Sequence, residues 1–442
     1  MKCLFSRAQG LSLAAVILLS LPLTEAAHSE PECADSEAYP RLEAMAAHLQ
    51  FYDSAGPHRS GTVGDIKTAQ YLSQQLSALG YDVRRQNFTV PDHGRLQANV
   101  STGNEQIALL VQPPVSEKRI FKGPLVYWHY RPGIPIPDPT EKSILLVELP
   151  DARYSSYQSF PIRKLRAQLV DKGSEFSAVI LITNGATHEA QLLNIDPAET
   201  FLPTFIVAPR DAAPLREAAN RQQRVALENL ASTGELQASN VIASRILPGR
   251  PHWIISTPAS GWGHSVGERG PGFAAFLEMA AWAKCALADY SLQFVANSGH
   301  ELENMGSKKY LNELAPKPSE VELWLHLGAG WGARDYLDIG PRLLPLNHAN
   351  PYSVLMMSEA IKPALSPRFK ALPGLANAYT FADGKAAGEL QEIHHLGYNA
   401  IGLFGAHQYH HVASDRLDKT HADLVAPVVS ALQDTLLRYK SR

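Results

Sequence analysis

Strands alternating with helices over residues 236–442 predict an α/β protein: a three-layer sandwich with a mostly parallel mixed sheet, interrupted by a β-rich insert. Two observations carry this expectation. Short apolar runs at 240–243, 253–256, 292–297, 321–327 and 400–404 read as strands, and the segments between them (272–288, 303–314, 351–362 and 422–439) read as helices. Residues 36–94 open the same domain. A helix over 36–52 and a turn at His58–Thr62 precede a second helix over 64–79. Its apolar positions Ile66, Ala69, Leu72, Leu76 and Leu79 recur at helical spacing, and Gly80 ends it as a C-cap. Strands at 81–83 and 88–90 follow. Between 100 and 235 strand-like runs dominate, at 107–112, 120–130, 143–147, 178–183 and 204–207, with one helix at 162–172.

The chain of 442 residues is too long for one ordinary core and suits a large α/β domain plus a second one. A net charge of −3 gives no reason to expect nucleic acid or an anionic membrane as partner. Lys2 and Arg7 precede an apolar run at 11–23, followed by Thr24-Glu25-Ala26-Ala27. That pattern reads as a secretory signal over residues 1–27, so the mature protein is expected to be secreted or periplasmic, with no membrane span. Removing the leader removes Cys3 and leaves Cys33 and Cys285, open to one disulfide or to buried thiols.

In an open α/β sheet, ligands collect beyond the carboxyl ends of the strands. Ser260, Trp262 and His264 follow strand 253–256, His300 and Glu301 follow 292–297, His326 ends 321–327, and His410 and His411 follow 400–404. Glu268 stands just before the helix expected from Gly272. Imidazoles and carboxylates meeting at one locus suit Zn²⁺.

The run FVANSGHELENMGS at 294–307 resembles the strand–turn–helix in which zinc aminopeptidases carry two adjacent glutamates. Residues 239–243, 272–278 and His411–Asp415 add to the resemblance, which covers 40–94 and 236–440. The family also includes glutamate carboxypeptidase, the transferrin receptor and single-zinc glutaminyl cyclases. Carried over, the resemblance implies three metal ligands, Glu268, Glu301 and His411. It departs from the family elsewhere. The first ligand, a His, falls in Thr257–Trp262 and is missing, with His264 the nearest. The catalytic glutamate is His300, and the Asp after the next strand is His326. The strand–helix–strand order of 100–235 resembles a protease-associated (PA) domain. The implied organisation is an aminopeptidase-like domain at 28–99 and 236–442 with a PA-like insert at 100–235.

The expected function is hydrolysis of an amide or peptide bond in a small substrate. One zinc per chain would be held by Glu268, Glu301 and His411, with His300 shuttling protons and His326 and His264 as further catalytic groups. A non-catalytic peptide- or protein-binding relative, and a metal-free His/Glu acid–base enzyme, are the alternatives. Trp262, Trp331 and Tyr409 are candidates to line the pocket, and Glu389 to touch substrate.

Overall fold

Successive residues of the central strands face two different cores. Val241, Ala243, Ile255, Phe294, Leu323, Leu325 and Met357 pack into one, while Ile242, Ile254, Val295, Trp324 and Met356 pack into the other. Strands buried on both faces need a helical layer on each, and the computed structural model of the chain has them. It describes residues 40–103, 105–113, 119–131, 133–152, 165, 168–169, 175–194, 202–384 and 386–442. The expected signal segment and Cys33 lie outside these residues, as does most of the helix expected at 162–172.

The chain opens with α1 (Leu42–Ala55), α2 (Val63–Ala78) and β1 (Asp82–Pro91). The strands expected at 81–83 and 88–90 are one, because β1 runs unbroken along its antiparallel partner. Seven strands then close a barrel: β2 (Gln97–Thr102), β3 (Glu105–Gln112), β4 (Ile120–His129), β5 (Ser143–Glu148), β6 (Phe176–Ile182), β7 (Thr204–Val207) and, after helix α3 (Ala213–Asn220), β8 (Arg224–Asn229). Its interior is filled by Val100, Leu125, Ile144, Leu146, Ile180 and Leu227.

The chain returns through β9 (Glu235–Arg245), β10 (His252–Pro258), α4 (Val266–Ala286), β11 (Ser291–Asn297), α5 (Met305–Glu313) and β12 (Val321–Leu327). A hairpin, β13 (Arg334–Asp338) and β14 (Leu343–Ala349), precedes β15 (Ser353–Met357), β16 (Ala378–Thr380), α6 (Gly388–His395), β17 (Ala400–Gly405) and α7 (Ala422–Lys440). The main sheet runs β1-β9-β11-β10-β12-β17-β15-β16, with β11, β10, β12 and β17 parallel. Met45 and Leu49 of α1, Leu72 of α2, Phe273 of α4 and Leu432 of α7 cover one face. Tyr310 of α5 and Leu390 of α6 cover the other. Among the described residues no helix is long and apolar enough to cross a membrane.

Two expectations are corrected. The segment 351–362 is not a helix: Ser353–Met357 is strand β15, antiparallel to β17, followed by a 3-10 turn, Glu359–Ala364. A short apolar run is read equally well as strand or helix until a neighbour pairs with it. Helix α4 starts at Val266 rather than near Gly272, so Glu268 belongs to its first turn. Every residue of α4 from Val266 to Ala283 is buried. Any charge on that stretch must therefore find its partner inside the protein.

Asp65, in the first turn of α2, is fully buried, and its Oδ2 accepts from the Gly61 amide (2.8 Å) and the Ser298 hydroxyl (3.0 Å). Burial raises its pKa from 3.8 to about 7, with the hydrogen bonds working against the rise. The folded chain thus keeps a proton that the unfolded chain loses above 3.8, and unfolding releases it between these values. The contribution of Asp65 to stability therefore falls as pH rises from about 4 to about 7, by up to about 4 kcal/mol at about 1.4 kcal/mol per pK unit, against the buried histidines, whose lowered pKa values act in the opposite direction. Asp65→Asn keeps one oxygen to accept both bonds and removes the titration. We expect the difference in urea-unfolding stability between this variant and wild type to grow in the variant's favour from pH 5 to 8, with the variant the more stable of the two at pH 8. A difference between the two that does not change with pH would mean that Asp65 does not titrate on unfolding in this range.

Candidate active site

Chain geometry at the ends of β10, β11, β12 and β17 gathers the polar residues. After β10, the chain turns sharply at Ser265, whose φ is 51°, and throws the first turn of α4 over the strand ends. The amides of Gly267 and Glu268 donate to Asp415, at 2.7 Å to Oδ1 and 3.1 Å to Oδ2. This carboxyl, from the loop after β17, caps the helix. Position 267 admits only glycine, since a Cβ would stand 2.6 Å from Asp415 Oδ1 and 2.9 Å from the His407 ring. Burial, together with the nearby charge of Glu268, pushes the Asp415 carboxyl well above its ordinary range.

Glu268 and Arg269 are both buried within that turn. Arg269 donates from Nε to the Ser260 carbonyl (3.0 Å). Its Nη2 bridges two carboxylates, 2.8 Å from Glu268 Oε1 and 2.9 Å from Glu301 Oε1. The other Glu301 oxygen accepts from Ser260 Oγ at 2.7 Å. Burial opposes the charge of Arg269, but Glu268 and Glu301 outweigh it and hold the guanidinium protonated. Burial likewise opposes the Glu268 charge, and Arg269, His410 and His411 more than offset it, so its pKa lies well below the ordinary value.

His411 donates from Nδ1 to the Leu192 carbonyl of the segment after β6 (2.9 Å). A carbonyl only accepts, so Nδ1 carries a proton, and Nε2 is a lone pair whenever the ring is neutral. That nitrogen is buried without a hydrogen-bond partner among the described residues and faces Glu268 Oε1 at 3.2 Å. The His410 ring stacks on His411 with centroids 3.9 Å apart, and its Nδ1 lies 3.8 Å from the same oxygen. Burial and the adjacent His411 hold His410 well below the usual imidazole pKa. Glu268, His410 and His411 each offer one ligand atom within 4.8 Å of the others. His407, fully buried and pushed down to about 4 by burial, stands behind them with Nε2 3.7 Å from Asp415.

A second group flanks this one. His300 places Nδ1 3.1 Å from Glu389 Oε1, and Asn297 Nδ2 donates to Glu389 Oε2 at 2.9 Å. On β12, His326 Nδ1 lies 2.9 Å from Ser256 Oγ, which accepts from the Trp324 indole at 2.8 Å. The hydroxyl keeps a second lone pair, so it serves His326 Nδ1 either as donor or as acceptor. Burial pushes His326 down to about 4, so it is neutral at neutral pH.

The six residues expected from the sequence are therefore placed differently. Glu268 and His411 meet. Glu301 is joined to Glu268 through Arg269 rather than directly. His300 and His326 share Glu389 as neighbour, at 3.1 and 3.9 Å. His264 turns to α1 instead, its Nδ1 3.1 Å from the Asp53 carbonyl and 3.6 Å from the Asp53 carboxylate. Of the candidate aromatics, Trp331 is fully buried in the main core, Trp262 bonds Asn194 at 3.1 Å, and Tyr409 faces Lys419. Arg269 is the partner the sequence left unassigned. Its signal was a charge of opposite sign beside Glu268 in a stretch otherwise rich in small and apolar residues.

A mixed α/β sheet, helices on both faces, a β-barrel between its first two strands and a carboxylate–imidazole cluster over the parallel strand ends together define a fold of the zinc-aminopeptidase type. The comparisons agree. Aminopeptidase YwaD of Bacillus subtilis is 24% identical over 342 residues, covering 73% of this chain and 70% of that protein. The peptidase M28 precursor of Shewanella amazonensis superposes with a TM-score of 0.69 at 17% identity, over 91% of this chain and 95% of its own. BSAP, a zinc aminopeptidase from Bacillus subtilis, gives 0.67 at 16% identity, over 90% and 95%. No family model matches the sequence. The chain thus carries the zinc-aminopeptidase fold and is related in sequence to an aminopeptidase.

Proposed function

We propose that the protein is an exported hydrolase of peptide or amide bonds with one metal ion held by Glu268, His410 and His411. His410 takes the part that the sequence resemblance gives to Glu301. The observation that carries this reading is the bare Nε2 of His411 facing Glu268 Oε1 at 3.2 Å. With the ring neutral, these two acceptors repel unless a cation lies between them, and the cation takes the place that a proton on Nε2 would hold. Two zinc ligands at ~2.0–2.1 Å and a tetrahedral angle stand about 3.3 Å apart. Glu268 Oε2 is also buried without a hydrogen-bond partner among the described residues. The bond from His411 Nδ1 to a carbonyl is the usual outer support of a metal-bound histidine. When bound, zinc would polarise the scissile carbonyl and lower the pKa of a water.

The chain's own residues would do the rest. His300 takes and returns a proton at Nε2. His326, neutral at neutral pH, stands beside Glu389 as a further polar group. Arg269, bridging Glu268 and Glu301, offsets one of their two negative charges. The barrel is proposed as the PA-like insert, and its Leu192 carbonyl orients His411. Cys285 is disulfide-bonded, and the chain's other cysteines lie outside the described residues, which supports an oxidising compartment.

One observation favours a second reading. The Arg269 guanidinium already bridges two carboxylates, so a metal-free acid–base enzyme has its cation built in. Elemental analysis of protein exported by its own leader separates the two. About one zinc per chain, with peptide or amide turnover lost to a chelator and restored by zinc, is the expected result. No metal after zinc is offered would overturn the metal reading, and turnover that survives the chelator would establish the second.

A further inference from the structure

We infer that Glu389 is the positioning residue for His300, holding the imidazole in the tautomer whose bare Nε2 serves as the proton acceptor. The inference rests on the reading of His300 given above. Glu389 comes from the first turn of α6, a segment more than eighty residues from His300 in sequence. It is buried, with its side chain 0% exposed, whereas the His300 side chain keeps 14%. A buried carboxylate is costly unless each oxygen is satisfied. Here Oε1 faces His300 Nδ1 at 3.1 Å and Oε2 accepts from the Asn297 amide at 2.9 Å.

An ionised carboxylate only accepts, so Nδ1 must carry the ring proton. Burial works against the Glu389 charge, but His300, His326 and the Asn297 bond together more than offset it and keep the carboxyl below its ordinary pKa. Its place at a helix N-terminus favours the same state. The nearby His326 does not compete, because its Nδ1 lies 3.9 Å from Glu389 and is bonded to Ser256 Oγ at 2.9 Å. Asn297 ends β11, and its bond ties Glu389 to the strand that carries His300. The pair thus fixes both which nitrogen is bare and where the ring stands, a carboxylate–imidazole arrangement of the kind that sets tautomers elsewhere.

Glu389→Gln makes the inference testable. The amide has one oxygen for two donors, His300 Nδ1–H and the Asn297 amide, so one of them must yield. If the oxygen stays with Asn297, the new NH₂ faces His300 and forces its proton to Nε2. The measurement is ¹⁵N NMR of the full chain labelled at histidine, with His300 assigned by its loss in His300→Ala. Wild type is expected to show Nδ1 protonated and Nε2 bare, and Glu389→Gln a mixed or reversed pattern with the other histidines unmoved. Alongside it, kcat on any peptide substrate found should fall about 100-fold or more, with KM little changed. His300 protonated at Nε2 in wild type, or unaltered in Glu389→Gln, would overturn the inference. The wild-type spectrum decides the tautomer even if the variant does not fold. Because it needs neither metal nor substrate, its failure and that of the proposed hydrolase are told apart.

Discussion

Arg269→Met is expected to be the most destabilising single change at the site. The substitution keeps the length of the buried stem and removes the one cation that touches both Glu268 and Glu301. Both carboxylates stay buried, and removing one partner of a buried ion pair costs ~3–5 kcal/mol because the other charge is left uncompensated. The cost should fall with pH, as either carboxylate can then take up a proton. Added zinc should restore more stability to the variant than to wild type, because two uncompensated carboxylates then face a vacated cation site. Thermal unfolding with and without zinc, at pH 5 and 8, reads all three effects. A variant within about 1 kcal/mol of wild type in metal-free buffer would mean that the guanidinium contributes little net energy there.

The second large effect is expected at His411. His411→Ala removes the ligand whose lone pair already faces Glu268 and leaves the Leu192 carbonyl without its donor. Loss of an outer support alone costs 10–100-fold in metal affinity, so loss of the ligand itself should exceed about 100-fold. Position 411 also has φ 61°, where a β-carbon is strained. His411→Gly is therefore the sharper control: it loses the ligand but relieves the backbone. Zinc content should fall in both variants, while Gly should be the more stable of the two. Zinc retained at the wild-type level in either would remove His411 from the site.

The sequence carried the architecture because sheet burial leaves a direct trace. Runs such as 253–255 and 294–296 are apolar on both faces, as strands between two helical layers require. It misread 351–362 because the short run Ser353–Met357, buried except at half-buried Val354, fits either period until β17 pairs with it. Glu268 and His411 were legible through spacing and resemblance, and they do meet. Arg269 was not legible in the same way, since neighbours one apart on a helix do not ordinarily face each other. Its role appears only when Glu301, on a different strand end, closes the other side of the guanidinium.

What the sequence determined by itself was local and periodic: which segments are strands, which are helices, and which polar residues fall at their ends. Only the tertiary structure decided which polar groups pair. It turned Glu301 toward Arg269 and Ser260, His264 toward Asp53, and Glu389 toward His300. The reason is that burial removes water as an alternative partner. Each charged or imidazole group at the strand ends must then satisfy itself on whatever neighbour the packing of the helices and barrel brings within about 3 Å.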